Sequence, residues 1–270
     1  MDLFGNEISI TQTLADKYLM CPTTVLNTRD PKWKELKNKW NKLGIKSEVG
    51  RENIKKNNAN DFSRMQKYSE NKKGVTSYIS FNETNSTTSI FDPVICEIIY
   101  KWFAKCNVLD PFAGGSVRGI VANKLGFKYT GIELRQEQVE SNREQALNIL
   151  EVNNQPQWYL GDSEIILDEL IPKYDLLFSC PPYMDLEIYS DLENDLSNMN
   201  DENFTTKYES IIKKSCEKLI NGGYAVFVVG DLRDKKGYLK DFTGITKEAF
   251  KKCGMKLYNE LILVTPVGSK

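Results

Sequence analysis

Strand and helix patterns alternate along residues 107–264, and this alternation constrains the fold more than any other feature. Apolar runs predict strands at 107–110, 128–133, 157–160, 174–179, 223–230 and 256–264. Helical patterns lie between them at 117–125, 136–150, 163–171, 203–220 and 244–253. Such alternation predicts a doubly wound α/β domain with a mostly parallel sheet, which binds ligands at the carboxyl ends of its strands.

The charge of the chain is distributed unevenly. The net charge over 270 residues is −1, yet residues 32–74 hold 13 Lys/Arg against 5 Asp/Glu. We therefore divide the chain into a basic, helical N-terminal extension, residues 1–80, and an α/β domain, residues 81–270. The basic segment fits a phosphate-binding patch, and it fits a solvated lysine-rich surface equally well.

One helix is predicted within the extension, at residues 32–43. Trp33, Leu36, Trp40 and Leu43 recur there at helical spacing, which gives the basic helix one apolar face. We interpret this stripe as core packing in preference to base stacking.

Several classes of protein are disfavoured by what the sequence lacks. It contains no histidine, and its six cysteines form no C-x-x-C pair, which argues against a structural zinc site and histidine-based triads. Apolar runs are too short to span a bilayer, and the first residues do not resemble a signal peptide. We therefore expect a cytoplasmic protein with no membrane partner.

Carboxylates and glycines follow the predicted strands in a regular order. Gly114-Gly115 would let a ligand approach the backbone, and Asp110 would repel a pyrophosphate but suit an ammonium group. Glu133 can accept from two ribose hydroxyls, and Asp162 can accept from an adenine amino group or cap a helix. Phe91-Asp92-Pro93, which opens an upstream helix, could close the methionine end of a cofactor. Together these residues favour S-adenosylmethionine over a nicotinamide or flavin.

The candidate cofactor-binding residues form one set drawn from four segments. They are Phe91, Asp92, Asp110, Pro111, Phe112, Ala113, Gly114, Gly115, Ser116, Glu133, Leu134, Asp162 and Ser163.

A second motif, Ser179-Cys180-Pro181-Pro182-Tyr183, follows the predicted strand at 174–179. Two prolines and an aromatic ring at a strand end can hold a flat amino-bearing group against a π face while backbone carbonyls point at its nitrogen. We predict these five residues to be catalytic.

The order of these motifs resembles that of S-adenosylmethionine-dependent DNA amino methyltransferases, over about residues 80–265. Residues 43–51, 115–119 and 229–237 also resemble phage-encoded modification methylases. The resemblance implies a class I (Rossmann-like) methyltransferase fold, S-adenosylmethionine as cofactor, and a flipped adenine or cytosine of DNA as target. The basic extension would then contact DNA in a bacterial or phage-infected cell. A partner subunit for specificity or nuclease activity, as in restriction-modification, stays open.

The chain departs from this family at one position. Asp, Asn or Ser normally precedes Pro-Pro and accepts a hydrogen bond from the target amine, whereas Cys180 is a poor acceptor. Ser179 or the backbone could replace it, Cys180 could suffice, or Cys180 could attack a pyrimidine ring as in carbon-5 methyltransferases. The last explanation is disfavoured because no histidine is present to activate the thiol. The choice of base stays open, as do RNA, a protein amide, and binding without turnover.

Two further segments are predicted to border the target pocket. Tyr189 and Asn198 belong to an acidic loop, residues 184–202, and could contact the base. Asp231 and Arg233 follow the next strand, where Lys235 and Lys236 could meet phosphate.

Overall fold

Strands and helices alternate along the described chain, which comprises residues 24–45, 55–56, 91–171, 173–184, 187–234 and 236–265 of the computed structural model. The strands in these residues are β1 (Val25–Asn27), β2 (Lys55–Lys56), β3 (Asn107–Asp110), β4 (Lys128–Glu133), β5 (Gln157–Leu160), β6 (Tyr174–Ser179), β7 (Glu187–Ile188), β8 (Leu219–Phe227) and β9 (Ile262–Val264). The α-helices are α1 (Pro31–Asn41), α2 (Pro93–Phe103), α3 (Val117–Lys124), α4 (Gln136–Ile149), α5 (Ser163–Glu169), α6 (Asp201–Glu217) and α7 (Phe242–Lys252).

The central sheet is parallel and has the strand order β5-β4-β3-β6-β8. The chain enters at β3, runs outward through β4 to β5, returns to β6 and reaches the opposite edge at β8. The predicted doubly wound, Rossmann-like α/β fold is therefore confirmed. The reversal of direction between β3 and β6 is the point at which such sheets bind ligands.

Helices cover both faces of this sheet. One apolar cluster includes residues of α1 to α4, and the other includes residues of α5 to α7. Neighbouring residues of β3 point to opposite faces, so Val108 belongs to the first cluster and Leu109 to the second. Burial on both sides explains why the central strands are continuous apolar runs in the sequence.

Helix α1 packs into the same core as the α/β domain. Trp33 is 1% and Trp40 is 7% exposed. Their indole nitrogens donate to Asp92 at 3.2 Å and to Glu97 at 2.6 Å, respectively. Core packing of the tryptophan stripe is thus confirmed, and base stacking by these two rings is excluded. Most of the basic segment, residues 46–54 and 57–74, lies outside the described residues.

The predicted boundary between 203–220 and 223–230 was wrong. Helix α6 ends at Glu217, and β8 begins at Leu219, because the carbonyl of Lys218 already accepts from the amide of Tyr174 at 2.9 Å. The pairing then shifts register between Tyr174 and Leu176, which leaves room for Gly222 at a φ of +74°. Gly222 therefore lies within an irregular strand.

The last predicted strand does not join the central sheet. Within residues 256–264 only β9 is extended, and it pairs in parallel with β1. The amide of Ile262 donates to Thr24 at 2.7 Å, and that of Thr28 donates to Val264 at 3.0 Å. A short β2–β7 pair forms a third, antiparallel sheet.

A search of the described helices finds none with the length and apolar character needed to cross a bilayer.

Candidate active site

A large cleft of about 1890 Å³ opens at the carboxyl ends of the central strands and continues along the outer edge of β8. Thirteen of the predicted site residues line it, namely Phe91, Asp92, Pro111, Phe112, Gly114, Glu133, Leu134, Asp162, Ser163, Cys180, Pro181, Pro182 and Tyr183. The remaining five, Asp110, Ala113, Gly115, Ser116 and Ser179, do not line it. Motifs that are far apart in sequence therefore meet at one sheet edge, as a parallel sheet requires.

Asp110 lies beneath the cleft and is fully buried. Its Oδ2 accepts from Arg118 Nε at 2.5 Å and from the Tyr129 hydroxyl at 2.7 Å. Its Oδ1 accepts from the Ser179 hydroxyl at 2.5 Å and from the Phe112 amide at 3.2 Å. Both oxygens are thus occupied within the protein, which contradicts the expectation that Asp110 receives a ligand ammonium.

Arg118 is the partner that sequence reasoning missed. Its Nη2 donates to the carbonyls of Phe112 at 2.7 Å and Ala113 at 2.8 Å, and its guanidinium lies 4.6 Å from the centre of the Phe91 ring. Burial opposes its charge, but the adjacent Asp110 carboxylate prevails and raises the pKa of the Arg118 guanidinium above its ordinary value. Arg118 also lines the cleft. An arginine within the apolar stretch 117–122 was the available signal.

Burial, followed by the charge of Asp110, raises the pKa of the Tyr129 hydroxyl well above its ordinary value. Tyr129 therefore remains a neutral donor to Asp110 at neutral pH.

The glycine turn is held open by neighbouring backbone and side-chain contacts. Gly114 has a φ of +51°, and its carbonyl accepts from Asn142 at 2.7 Å. The Ala113 amide donates to Ile132 at 3.0 Å. Ser116 is buried at the start of α3, and its hydroxyl has no hydrogen-bond partner among the described residues. Gly115 is half-buried beside it.

Glu133 stands at the end of β4 with its side chain about one-tenth exposed. The Arg135 amide donates to its Oε1 at 2.9 Å, and Arg135 Nε lies 3.6 Å from the same oxygen. Arg135 is held in turn by Gln138 at 2.8 Å. The carboxylate is thus fixed at the wall of the cleft, next to Leu134.

Asp162 caps α5, as one interpretation of the sequence predicted. Its Oδ1 accepts from the Glu164 amide at 3.0 Å. Its Oδ2 accepts from Lys207 at 2.5 Å and from Asn194 at 3.2 Å, two contacts that the sequence did not indicate. Ser163 donates to the Pro111 carbonyl at 2.5 Å, which ties this wall of the cleft to the glycine turn.

Ser179 cannot replace the missing acceptor of the Pro-Pro motif. Its hydroxyl donates to Asp110 and accepts from the Phe112 amide at 3.2 Å, and the side chain is fully buried. Its carbonyl accepts from the Val228 amide at 2.9 Å. The explanation in which the Ser179 side chain contacts the target amine is therefore wrong.

The rest of the Pro-Pro motif faces the cleft. Cys180, Pro182 and Tyr183 are half-buried, and Pro181 is buried. The Tyr183 ring packs edge-on against Phe242 at 5.9 Å between centroids. This contact fixes the ring and leaves part of it exposed to the cleft.

Residues predicted to border the target pocket have mixed placements. Tyr189, Asp231 and Arg233 line the cleft, and Asp231 accepts from the Thr243 amide and hydroxyl, which lowers the pKa of its carboxyl. Asn198 donates to the carbonyls of Ser190 and Leu192, so its amide holds the loop together.

Arg233 and Lys236 make local contacts in the segment after β8. Arg233 donates to the Gly237 carbonyl, and the Lys236 amide donates to Asp234. Lys235 lies outside the described residues.

The chain is similar to several proteins of known structure. No family model and no curated protein sequence matches the chain. TrmN from Thermus thermophilus is 17% identical over 51% of this chain and 38% of its own, with a TM-score of 0.40. TehB from Haemophilus influenzae is 19% identical over 58% and 49%, with a TM-score of 0.42. The chain thus spans half or less of the length of either protein.

Magnesium protoporphyrin IX methyltransferase (ChlM) from Synechocystis, solved with bound SAM, is 13% identical over 62% of this chain and 70% of its own, at a TM-score of 0.41.

Proposed function

We propose that this chain is an S-adenosylmethionine-dependent methyltransferase that acts on the exocyclic amino nitrogen of adenine or cytosine in DNA. The observation that carries the proposal is that Cys180-Pro181-Pro182-Tyr183 opens onto the same cleft as Gly114 and Glu133. A site for a flat amine and a site for a nucleoside cofactor would therefore share one cleft. The two would be brought together at the reversal point of the sheet.

The cleft residues fit S-adenosylmethionine. Gly114 has the left-handed conformation that brings the backbone close to a ligand. The Glu133 carboxylate can accept from ribose hydroxyls, and Phe112 and Leu134 offer apolar contacts. Because Lys207 and Asn194 hold Asp162, an adenine amino group would have to share that carboxylate with them. When bound, the cofactor supplies an electrophilic methyl group on a sulfonium sulfur.

The Pro-Pro turn would hold the accepting amine. Tyr183, fixed by Phe242, offers a ring face on which a base taken out of its helix can stack. Backbone carbonyls of the turn would accept from the NH₂ group, which localises the nitrogen lone pair and aligns it for direct displacement. The amine proton then passes to solvent. Such a reaction needs no histidine and no nucleophilic side chain.

DNA is favoured as the partner by lysines of α1 that line the cleft. Lys34 and Lys37 of α1 both line it, and they belong to the predicted basic segment. Lys37 pairs with Asp92 at 3.0 Å, which anchors α1 beside the site. Positive charge placed there would attract a phosphate backbone.

The alternative within the same cleft is carbon-5 methylation of a pyrimidine with Cys180 as nucleophile. This second candidate rests on the half-buried thiol facing the cleft. RNA amines and protein amides are the other substrates that the Pro-Pro motif would suit.

The test is methyl transfer from labelled S-adenosylmethionine to unmethylated DNA and, in parallel, to RNA, followed by nucleoside mass spectrometry. We expect N6-methyladenine or N4-methylcytosine in DNA. Label in RNA alone would overturn the choice of DNA, and 5-methylcytosine would overturn the amine mechanism.

Variants of two tyrosines test the site within the same assay. Tyr183→Ala should lower methyl transfer to DNA. Tyr238→Ala, which removes an exposed ring outside the cleft, is the matched control.

A further inference from the structure

One nitrogen of the Arg118 guanidinium has no hydrogen-bond partner among the described residues. Nε binds Asp110, and Nη2 binds the carbonyls of Phe112 and Ala113. Nη1 makes no hydrogen bond to any residue that the structure describes. The side chain is only 5% exposed, yet it lines the cleft. Nη1 is not among the fully buried atoms that lack a partner, so this nitrogen of the largely buried guanidinium can donate to an acceptor held in the cleft.

The position of this nitrogen is fixed by three contacts. Asp110 lies on one side of the guanidinium, the carbonyls of the glycine turn hold Nη2, and the Phe91 ring lies 4.6 Å away. A group held this way loses little conformational freedom when it binds a ligand. Since arginine only donates, the ligand atom must be an acceptor, and a charge-assisted bond favours an anionic one.

We propose that Arg118 Nη1 binds the α-carboxylate of S-adenosylmethionine, an inference that rests on the function proposed above. Asp110 was the expected contact for the amino-acid end of the cofactor, as an acceptor for its ammonium. The structure instead places Asp110 behind Arg118, where it orients the guanidinium. Recognition of the ammonium by Asp110 is thereby replaced by recognition of the carboxylate by Arg118.

The first experiment uses the unaltered protein and two ligands. Isothermal titration calorimetry would compare S-adenosylmethionine with its decarboxylated form, which lacks only the α-carboxylate. Loss of one charge-assisted hydrogen bond predicts an affinity about 10- to 100-fold lower for the decarboxylated ligand. Equal affinities would overturn the inference and leave the proposed function standing. Binding of neither ligand would overturn the proposed function and this inference with it.

The second experiment asks whether Arg118 is responsible. In Arg118→Met, affinity for S-adenosylmethionine should fall to that of the decarboxylated ligand, whose own affinity should stay the same. Equal loss of affinity for both ligands would show that Arg118 only shapes the site, and it would overturn the inference. Arg143→Met is the control for loss of an arginine elsewhere, because Arg143 is an exposed arginine that donates to the Trp158 carbonyl outside the cleft. If Arg118→Met does not fold, the ligand comparison with the unaltered protein still decides.

Discussion

Asp110 and Glu133 end neighbouring parallel strands, yet their carboxylates have opposite surroundings. Asp110 is fully buried with four donors, whereas Glu133 lies at the wall of the cleft. The register explains the difference, because Asp110 pairs with Gly131 and Glu133 lies two residues further along. The carboxylate level with the sheet edge is enclosed by the fold, and the one beyond that edge lines the cleft.

The largest expected effect is that of Asp110→Ala on folding. It would leave Arg118 buried without its counter-charge, which typically costs about 3–5 kcal/mol of the free energy of unfolding. Urea denaturation followed by circular dichroism would measure the loss. The control is Asp168→Ala, which removes an exposed partner of Lys214 and should cost about 1 kcal/mol or less. Similar values for the two variants would contradict the assignment of Asp110 to the fold.

Glu133→Gln should weaken cofactor binding and leave the stability of the fold nearly unchanged, the opposite of what is expected for Asp110→Ala. Loss of a charged acceptor for ribose hydroxyls predicts about 1.5–3 kcal/mol weaker binding of S-adenosylmethionine, measured by calorimetry. The free energy of unfolding should change by about 1 kcal/mol or less, since the carboxylate is partly exposed. Glu137→Gln, which alters another partner of Arg135 at 3.4 Å, should leave both quantities nearly unchanged. Unaltered cofactor affinity in Glu133→Gln would remove Glu133 from the site.

Tyr183→Ala tests the opposite wall of the cleft. Loss of base stacking predicts about 1–3 kcal/mol in kcat/KM for DNA, with cofactor affinity unchanged. Tyr183→Phe keeps the ring and should retain most of the activity. A fall in cofactor affinity as large as the fall in kcat/KM would show that the ring serves the cofactor instead.

Cys180→Ser has the smallest expected effect. In the amine mechanism the thiol does not attack the base, so kcat should stay within about tenfold, or about 1.4 kcal/mol, of the unaltered enzyme. Cys106→Ser, at an exposed cysteine, is the control. Complete loss of transfer in Cys180→Ser alone would establish covalent catalysis by Cys180.

The sequence predicted the central strands residue by residue and failed at the periphery. Burial on both faces makes the central strands β3 and β6 short, largely apolar runs with clear ends. At β8, the predicted strand began at residue 223 and the observed one begins at Leu219, because the irregular pairing of its first residues depends on the partner strand. The pairing of β9 with β1 joins residues more than 230 positions apart, and no local pattern signals it.

Prediction of the site from sequence was likewise limited by contacts between distant residues. Strand ends identified the residues that gather at the cleft, but the direction of a side chain depends on register and on what lies beneath it. Asp110 and Ser179 therefore turned inward unexpectedly. The ends of the strands did not indicate three further residues, because these lie on two helices and a loop: Arg118, Lys207 and Asn194.

The short contact between Ser179 and Asp110 has an evolutionary consequence. The two residues are 69 positions apart, and the Ser179 hydroxyl links the turn after β6 to the turn after β3. We expect substitutions at these positions to be epistatic, with the pair inherited together. The residue before Cys180 would then vary with the buried network beneath it.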